Sequence, residues 1–497
     1  MHLVKGKFYI TTAIPYVNAA PHIGHALEFV QTDVIARWHK LIGDEVFLTT
    51  GADENAQKNV QAAEEAGITT RQLCDSNAAV FRGLADKIGL SYDSFLRSSI
   101  SKDHWPGVNK LWELCKKSGD IYKKKYRGLY CVGCEQFYTE SELVNGLCPE
   151  HKRKPEIVEE ENYFFRLSKY QKQIEKLIES GKLKIVPETR KHEVLSFVKQ
   201  GLEDFSVSRS AKRLKGWGVP VPSDDSQIMY VWFDALNVYQ TSIGFGIDEK
   251  KYKKWWPANL HVIGKGIVRF HAVYWPAILL SAGLKLPESI LVHGYITLNG
   301  QKISKSLGNT IDPLELFDKY SVDAIRYFLV KEIPIGDDGD FSEKALINRI
   351  NGELVADLGN LVYRVLSLSE KFKGKIEGKP ELDKRLDLKK IQDRMENYQL
   401  NEALEGAWEF IRATNKYVNE NEPWKLQGKE LSNVLYNLLE ACRVISILVS
   451  PFIPETSEKI NEQLGVKEGE LKDCKFEKFI GKIKKGQYLF KKIEDKI

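Results

Sequence analysis

The sequence predicts an α/β protein: a doubly wound parallel sheet, interrupted by an inserted domain with a metal knuckle and followed by an all-α bundle. Three observations predict it. The order strand, glycine-containing loop, helix occurs from Lys7 to Leu41 and again from Leu260 to His271. Between these stretches lie two knuckle pairs, Cys131-Val132-Gly133-Cys134 and Cys148-Pro149-Glu150-His151. From Ser342 onward apolar residues recur at helical spacing, as in Leu354, Leu358, Leu361 and Val362.

The first element is the apolar run Lys7 to Ile10, read as a strand, which leads into Ala13-Ile14-Pro15-Tyr16-Val17-Asn18-Ala19-Ala20-Pro21-His22-Ile23-Gly24-His25. An apolar stripe (Leu27, Val30, Val34, Trp38, Leu41) then predicts a helix. Pro21 suits its first turn, and Gly24 removes a side chain that would hold a ligand off the backbone. A helix start collects unpaired N–H groups and the positive dipole end, so two imidazoles three residues apart beside it predict a phosphate site. Read alone, His22 and His25 are equally well ordinary helix-start residues.

A second strand is predicted at Glu45 to Leu48, running into the polar loop Thr49 to Asn55, where Asp53 either caps a turn or offers a carboxylate to an ammonium group. Helical patterns follow over Ala56 to Ala66, Thr70 to Ile88 and His104 to Lys117. The two knuckle pairs then bring four zinc-type ligands, Cys131, Cys134, Cys148 and His151, onto a tetrahedron. A redox C-x-x-C leaves the second pair unexplained. With all four positions filled by protein, the metal is structural.

A strand at Asn162 to Phe165 and a charged helix from Lys169 to Gly181 fill the rest of the insertion, which Pro220 and Pro222 close. Met229 to Phe233 is a dense β-prone run, with a helix expected after Asp234; Leu260 and Ser289 begin two further buried strands. The loop Leu298 to Asn309 carries Lys302, Ser304, Lys305 and Ser306 between glycines, and ammonium groups on such a loop can follow moving phosphate charge. The expected domains are residues 1–116 and 227–298 for the two half-sheets, 117–226 for the insertion, 299–350 for the loop and linking helices, and 351–497 for the bundle.

Composition bounds the function. A chain of 497 residues with 43% apolar content makes several globular domains. No apolar run approaches the roughly 20 residues of a membrane span, and no signal-peptide core precedes the first strand. A cytoplasmic protein with no membrane partner is expected. The net charge of +5 arises from 73 basic against 68 acidic residues, so local patches matter more than the total. Lys123-Lys124-Lys125-Tyr126-Arg127 and the tail from Lys475 to Lys496 are either polyanion contacts or solvated faces. Seven cysteines in so long a chain do not form a disulfide scaffold.

His22-Ile23-Gly24-His25 and Lys302-Ile303-Ser304-Lys305-Ser306 together resemble the two signature motifs of class I aminoacyl-tRNA synthetases, with isoleucine where the second motif commonly has methionine. Within that class the chain is most similar to the methionyl enzymes of single-zinc form, through Ala13-Ile14-Pro15-Tyr16, Tyr230-Val231-Trp232-Phe233-Asp234-Ala235-Leu236, Phe270-His271 and the knuckle. The resemblance covers essentially the whole chain.

That resemblance implies a Rossmann-type catalytic domain and a methionine pocket of Ala13, Ile14, Tyr16, Trp232, Ala235, Leu236, Tyr239, Ile267 and His271, with Asp53 at the α-ammonium. It implies ATP binding and catalysis through His22, Gly24, His25, Lys302 and Lys305, with Mg²⁺ accompanying ATP. It also implies tRNA reading by Asn360, Arg364 and Trp424 in the bundle. A monomer is expected. Two alternatives stay open: a sister synthetase for leucine, isoleucine, valine or cysteine, and a zinc-containing RNA-binding protein without catalysis. The first three sisters carry an editing insert for which this chain has no room, and the last would be expected to have lost signature residues that are all present. One departure stands out: Gly264-Lys265-Gly266-Ile267 has glycine where methionyl enzymes often carry an acidic residue beside the adenylate ribose. Aspartate there would either tighten ATP binding or strain a left-handed backbone.

Overall fold

The computed structural model describes residues 6–494 except Thr139, His151, Asn299, residues 303–310, Lys478, Ile480 and Lys485, and except the side chains of Gln136, Ser141, Gln301 and Lys302. Six strands form the central sheet: β1 (Lys7–Thr11), β2 (Glu45–Ala52), β3 (Ser94–Arg97), β4 (Lys184–Val186), β5 (Leu260–Gly264) and β6 (Ser289–His293). Their order is β3-β2-β1-β5-β6-β4, and every neighbouring pair is parallel. Strands covered on both faces need apolar residues throughout, and Ile10, Leu48, Val262, Ile263, Ile290, Leu291 and Val292 are all fully buried.

β1 and β5 lie side by side, with Thr11 beside His261. From that pair the chain winds outward in opposite directions, to β2 and β3 on one side and to β6 and β4 on the other. Such a reversal opens a crevice at the carboxyl ends of the two central strands. Helix α1 (Ile23–Leu41) starts at this crevice and covers one face of the sheet.

The insertion is built on an antiparallel sheet in which Ile121–Cys131 pairs with Glu156–Phe165 along its length. In this ribbon Lys125 lies opposite Glu161 and Arg127 opposite Glu159, so the basic run from Lys123 is met by acidic residues across the strand. β4 comes from the same part of the chain, yet it joins the central sheet beside β6. Three residues show no periodicity, and only their pairing identifies them as a strand.

One further expectation is corrected. The strand before Trp232 is Asp224–Met229, and a helix begins at Val231. Val231, Trp232 and Phe233 are buried as helical residues, because packing overrides β propensity there. A helix long and apolar enough by length and composition to span a bilayer also exists, Gly428–Val449, but it is an inner helix of the bundle with most of its residues buried.

One hydrophobic core joins α1 to the bundle, running from Leu27 and Val34 through Tyr327 and Leu329 to Leu404 and Trp408. Through it passes a fully buried ion pair. Arg326 Nη2 lies 2.8 Å from Asp33 Oδ2 on α1. The same guanidinium donates to the carbonyls of Phe452 (2.9 Å), Ile88 (3.1 Å) and Pro451 (3.0 Å). Asp33 also accepts from Arg37 Nε and from the Ser91 amide. Burial pushes the Asp33 carboxyl up, but Arg326, Arg37 and these hydrogen bonds outweigh it and hold the group below its ordinary value.

The C-terminal tail is tied to the bundle as well. The Asn351 side chain exchanges two hydrogen bonds of 2.9 Å with the Ile493 backbone, and Arg443 donates to the carbonyls of Asp473 and Lys475.

Removing one partner of a buried pair leaves the other charge uncompensated, at a cost of about 3–5 kcal/mol. Arg326→Met should therefore lower the urea midpoint for unfolding of sheet and bundle together. An unchanged midpoint would show that this pair does not join them.

Candidate active site

At the crevice, α1 begins with a reciprocal cap. His22 Nδ1 accepts the Gly24 amide at 3.1 Å and His25 Nδ1 accepts the His22 amide at 3.1 Å. The two rings lie 4.0 Å apart, and His25 meets the Phe81 ring at 5.0 Å. A neutral imidazole that accepts at Nδ1 carries its proton on Nε2, so the cap turns both rings into Nε2 donors. Pro21 precedes the cap instead of opening the first turn. Gly24 has a nearer role than the one expected: a Cβ on it would lie 2.9 Å from His22 Cε1, so glycine lets that ring fold against the backbone.

The residues on either side of the lysine motif's undescribed stretch are placed by backbone bonds. Lys302 ends the short strand Gln301–Lys302, paired with Thr297 in Ile296–Leu298. Ser304 and Lys305 lie outside the described residues. Ile311, the next described residue, accepts the Ile23 amide at 3.2 Å, which ties the chain leaving the motif to the start of α1.

Beside this helix start is a wall of rings. Trp232 stacks on Phe270 (3.9 Å between centroids, 5° between planes), meets Tyr16 edge-on at 6.2 Å and His271 edge-on at 6.1 Å. Phe270 and His271 sit in Phe270–Tyr274, a wide helical turn with i to i+5 bonds that re-aims side chains. Ala13, Ala235 and Leu236 are buried in the same core, with Ile14 and Ile267 packed against it. The nine apolar and aromatic residues implied for the pocket therefore belong to one packed region. Phe270 and His261, which packs 4.4 Å from Tyr239, also form this wall. The strand pattern around His261 gave no sign of its inward direction.

His271 is held neutral. Its Nδ1 donates to the Ile267 carbonyl at 3.0 Å and its Nε2 accepts the Tyr239 hydroxyl at 2.7 Å. Burial lowers its pKa from 6.5 to about 4, against the opposing effect of the Ile267 bond. A neutral ring beside Trp232 gives an apolar, polarizable lining.

Asp53 lies at the pocket edge, its amide bonded to the Pro15 carbonyl at 2.8 Å and its backbone bridged to Tyr16. Burial, and then the nearby Asp234 carboxylate, push its carboxyl well up. Asp53 Oδ1, Tyr16 OH and Trp232 Nε1 are buried without hydrogen-bond partners among the described residues. Orphaned polar atoms in one crevice mark where a polar ligand group belongs, and a cation would satisfy Asp53. Asp234 is held by His104 Nε2 at 3.3 Å and Asn55 Nδ2 at 3.0 Å.

The sulfurs of Cys131, Cys134 and Cys148 lie within 4.8 Å of one another, with Cys134 and Cys148 3.3 Å apart, too far for a disulfide. His151 lies outside the described residues. The hydrogen bond to Cys131, and then burial, push the Cys134 thiol up, and a divalent cation would reverse this by stabilising thiolates. These three residues fit a metal ion.

Gly266 is not in the left-handed region, so that possible obstacle to aspartate is absent. The Tyr295 hydroxyl lies 2.4 Å from where its Cβ would be, so a side chain there must displace that tyrosine.

In the bundle, Asn360 opens Asn360–Lys371, and Arg364, one turn later, reaches Asn419 Oδ1 at 3.4 Å on Leu400–Asn421. Trp424 follows that helix in the turn Pro423–Lys425 and is 53% exposed, so a ring face is open to solvent.

Comparison with known proteins agrees with this geometry. A family described as tRNA synthetases class I (M) matches residues 8–154 and 150–366, and one described as the anticodon-binding domain of tRNA ligase matches residues 353–489. The chain is 42% identical over 512 residues to a methionine–tRNA ligase of Caldanaerobacter subterraneus subsp. tengcongensis, covering 99% of this chain and 80% of that protein. It is 42% identical over 482 residues to one from Thermotoga maritima, covering 93% and 76%. It is also similar in structure to Mycobacterium tuberculosis methionyl-tRNA synthetase in complex with methionyl-adenylate, with a TM-score of 0.92 and 38% identity over 98% of this chain and 99% of that one.

The neutral His271 has a pH consequence. Its folded pKa of about 4 lies below the ordinary 6.5, so between these values the unfolded state binds the extra proton. Stability should fall as pH falls from about 6.5 towards 4, with a slope from this group of at most about 1.4 kcal/mol per unit. Urea unfolding of the protein and of His271→Gln across that range checks it, and the variant should show the shallower dependence.

Proposed function

We infer, for a chain that belongs to the class I methionyl family of tRNA synthetases, that the crevice at β1 and β5 activates L-methionine with ATP and passes it to tRNA. The observation that carries the reading is the aromatic wall of Trp232, Phe270 and neutral His271, flanked by Asp53, whose Oδ1 is buried without a hydrogen-bond partner among the described residues, and by the capped start of α1.

On this reading Asp53 takes the methionine α-ammonium, and the rings receive the thioether, which gains from sulfur–ring contact as well as burial. Ala13, Ile14, Tyr16, Ala235, Leu236, Tyr239 and Ile267 complete the pocket. The methionine carboxylate attacks the α-phosphorus of ATP, pyrophosphate leaves, and methionyl-adenylate forms. The substrate is its own nucleophile, so the protein supplies position and charge instead of a base. His22 and His25 donate from Nε2 to phosphate oxygens, Gly24 gives them room, and Lys302 and Lys305 follow the migrating charge. Mg²⁺, when bound with ATP, shares that charge.

A ribose hydroxyl of the terminal adenosine of tRNA(Met) then attacks the adenylate's carbonyl carbon, the ester forms as the anhydride bond breaks, and AMP leaves; the charged tRNA serves elongation and initiation alike. Asn360 and Arg364 hydrogen-bond to anticodon base edges, and the exposed Trp424 stacks on a base. Cys131, Cys134, Cys148 and His151 hold one zinc ion that fixes the knuckle. We divide the chain into 1–116 and 227–298 for the catalytic half-sheets, 117–226 for the insertion, 299–350 for the loop and linking helices and 351–497 for the bundle, with Lys184–Val186 of the insertion pairing into the central sheet. The enzyme works as a cytoplasmic monomer.

Amino-acid-dependent exchange of pyrophosphate into ATP tests the reading. Methionine should drive it best, with close analogues slower, since one methylene is distinguished by about 1–3 kcal/mol. Exchange driven better by leucine, valine or cysteine would overturn the assignment. Lys305→Ala should lower the exchange rate by about 10²–10³ while methionine binding persists.

The bundle has its own test. Trp424→Ala should weaken tRNA charging by about 1–3 kcal/mol while exchange stays nearly intact. Equal loss in both assays would remove Trp424 from the tRNA contact.

A further inference from the structure

Lys58 stands between the metal knuckle and the aromatic wall, and no motif in the sequence points to it. Its Nζ lies 3.4 Å from the centroid of the Tyr16 ring and donates to the Gly133 carbonyl at 3.2 Å. Its amide donates to Glu135 Oε1 at 3.0 Å. Gly133 sits between the knuckle ligands Cys131 and Cys134, and Glu135 follows them. Glu135 is itself fixed by the Tyr130 hydroxyl, while its carbonyl accepts from the Tyr230 hydroxyl. On the other side, the Tyr16 ring meets Trp232, and the Tyr16 backbone is bridged to Asp53. A continuous set of contacts thus runs from the cysteine knuckle through one ammonium group to the ring and carboxylate of the amino-acid pocket.

An ammonium group this close to a ring face is attracted by the ring quadrupole, and more strongly where water is excluded. Tyr16 has no hydrogen bond at its hydroxyl among the described residues, so its ring is oriented by packing and by Lys58. Were Lys58 only a counter-charge for the acidic groups around it, its ammonium would not need to face the ring. We propose that Lys58 is a positioning residue for the amino-acid substrate: its ammonium, aimed by the Gly133 carbonyl of the knuckle, holds the Tyr16 ring against Trp232. The proposal rests on reading this crevice as the methionine pocket. It makes the knuckle a support for substrate binding as well as for the insertion.

Lys58→Met removes the charge at nearly constant length, and Lys58→Arg keeps a cation that stacks on rings. Methionine affinity is read without ATP, from intrinsic tryptophan fluorescence, alongside KM values in pyrophosphate exchange, zinc content and thermal stability. Lys58→Met should raise the methionine Kd and KM roughly ten-fold, leave the ATP KM and zinc content unchanged, and be largely rescued in Lys58→Arg. Chelating the metal should weaken methionine binding in the unaltered protein but add little in Lys58→Met, because coupled perturbations are not additive. Unchanged methionine affinity in Lys58→Met overturns the proposal. So does a parallel loss of zinc or thermal stability, which would make the residue merely structural. If the unaltered protein shows no response to methionine, the functional reading falls and takes the proposal with it.

Discussion

The crevice exists because β1 lies beside β5. Ile10 and Thr11 pair with Leu260 and His261, residues 250 positions away in the chain. The pairing puts the loop that leads to His22 next to the strand end that leads to Ile267 and His271. It is secured by hydrogen bonds that cross the seam: the Thr11 hydroxyl meets His261 Nδ1 at 2.7 Å, and the Ala13 amide meets the Val262 carbonyl at 3.0 Å. Glu28 on α1 binds the Ala13 amide with one oxygen and His293 at the end of β6 with the other, so the helix start is fixed to both half-sheets. A one-residue slip would turn each of these side chains to the opposite face.

Burial sets the charge state of the groups around the crevice. His271 and His261 are pushed towards the neutral form, while Asp53 and Asp234 are pushed up. The result is an apolar wall beside one carboxylate oxygen, Asp53 Oδ1, that is buried without a hydrogen-bond partner among the described residues. The buried Arg326–Asp33 pair works differently. Its four carbonyl and carboxylate partners satisfy the guanidinium, and since such a pair adds little net stability over an apolar filling, its consequence is a fixed relation between bundle and sheet.

Much of this was legible in the chain. Helix α1, the buried strands β5 and β6, the cluster of Cys131, Cys134 and Cys148, and the helical bundle all appear where the sequence predicts them. The departures have separate physical causes. Val231-Trp232-Phe233 looks β-prone because its residues are bulky, but bulk serves a buried helix equally well, and only the neighbours decide. Lys184–Val186 and Ser94–Arg97 are both too short to carry a period. The sequence predicts Gly24 as room for a ligand, whereas the structure shows it first as room for the His22 ring.

What depends on spacing along the chain could be read from the residues alone: the two histidines three apart at a helix start, the cysteines three apart in a knuckle, and the apolar periods that choose strand or helix. Backbone geometry converts those spacings directly into position. Only the tertiary structure decided what depends on distance through space: the β1–β5 seam, the Phe270 ring under Trp232, the Asp33 partner of Arg326 and the Lys58 ammonium over Tyr16. Those partners are separated by tens to hundreds of residues. No local preference encodes them, because each contact forms only when many weak burial terms have brought distant segments into a single packing.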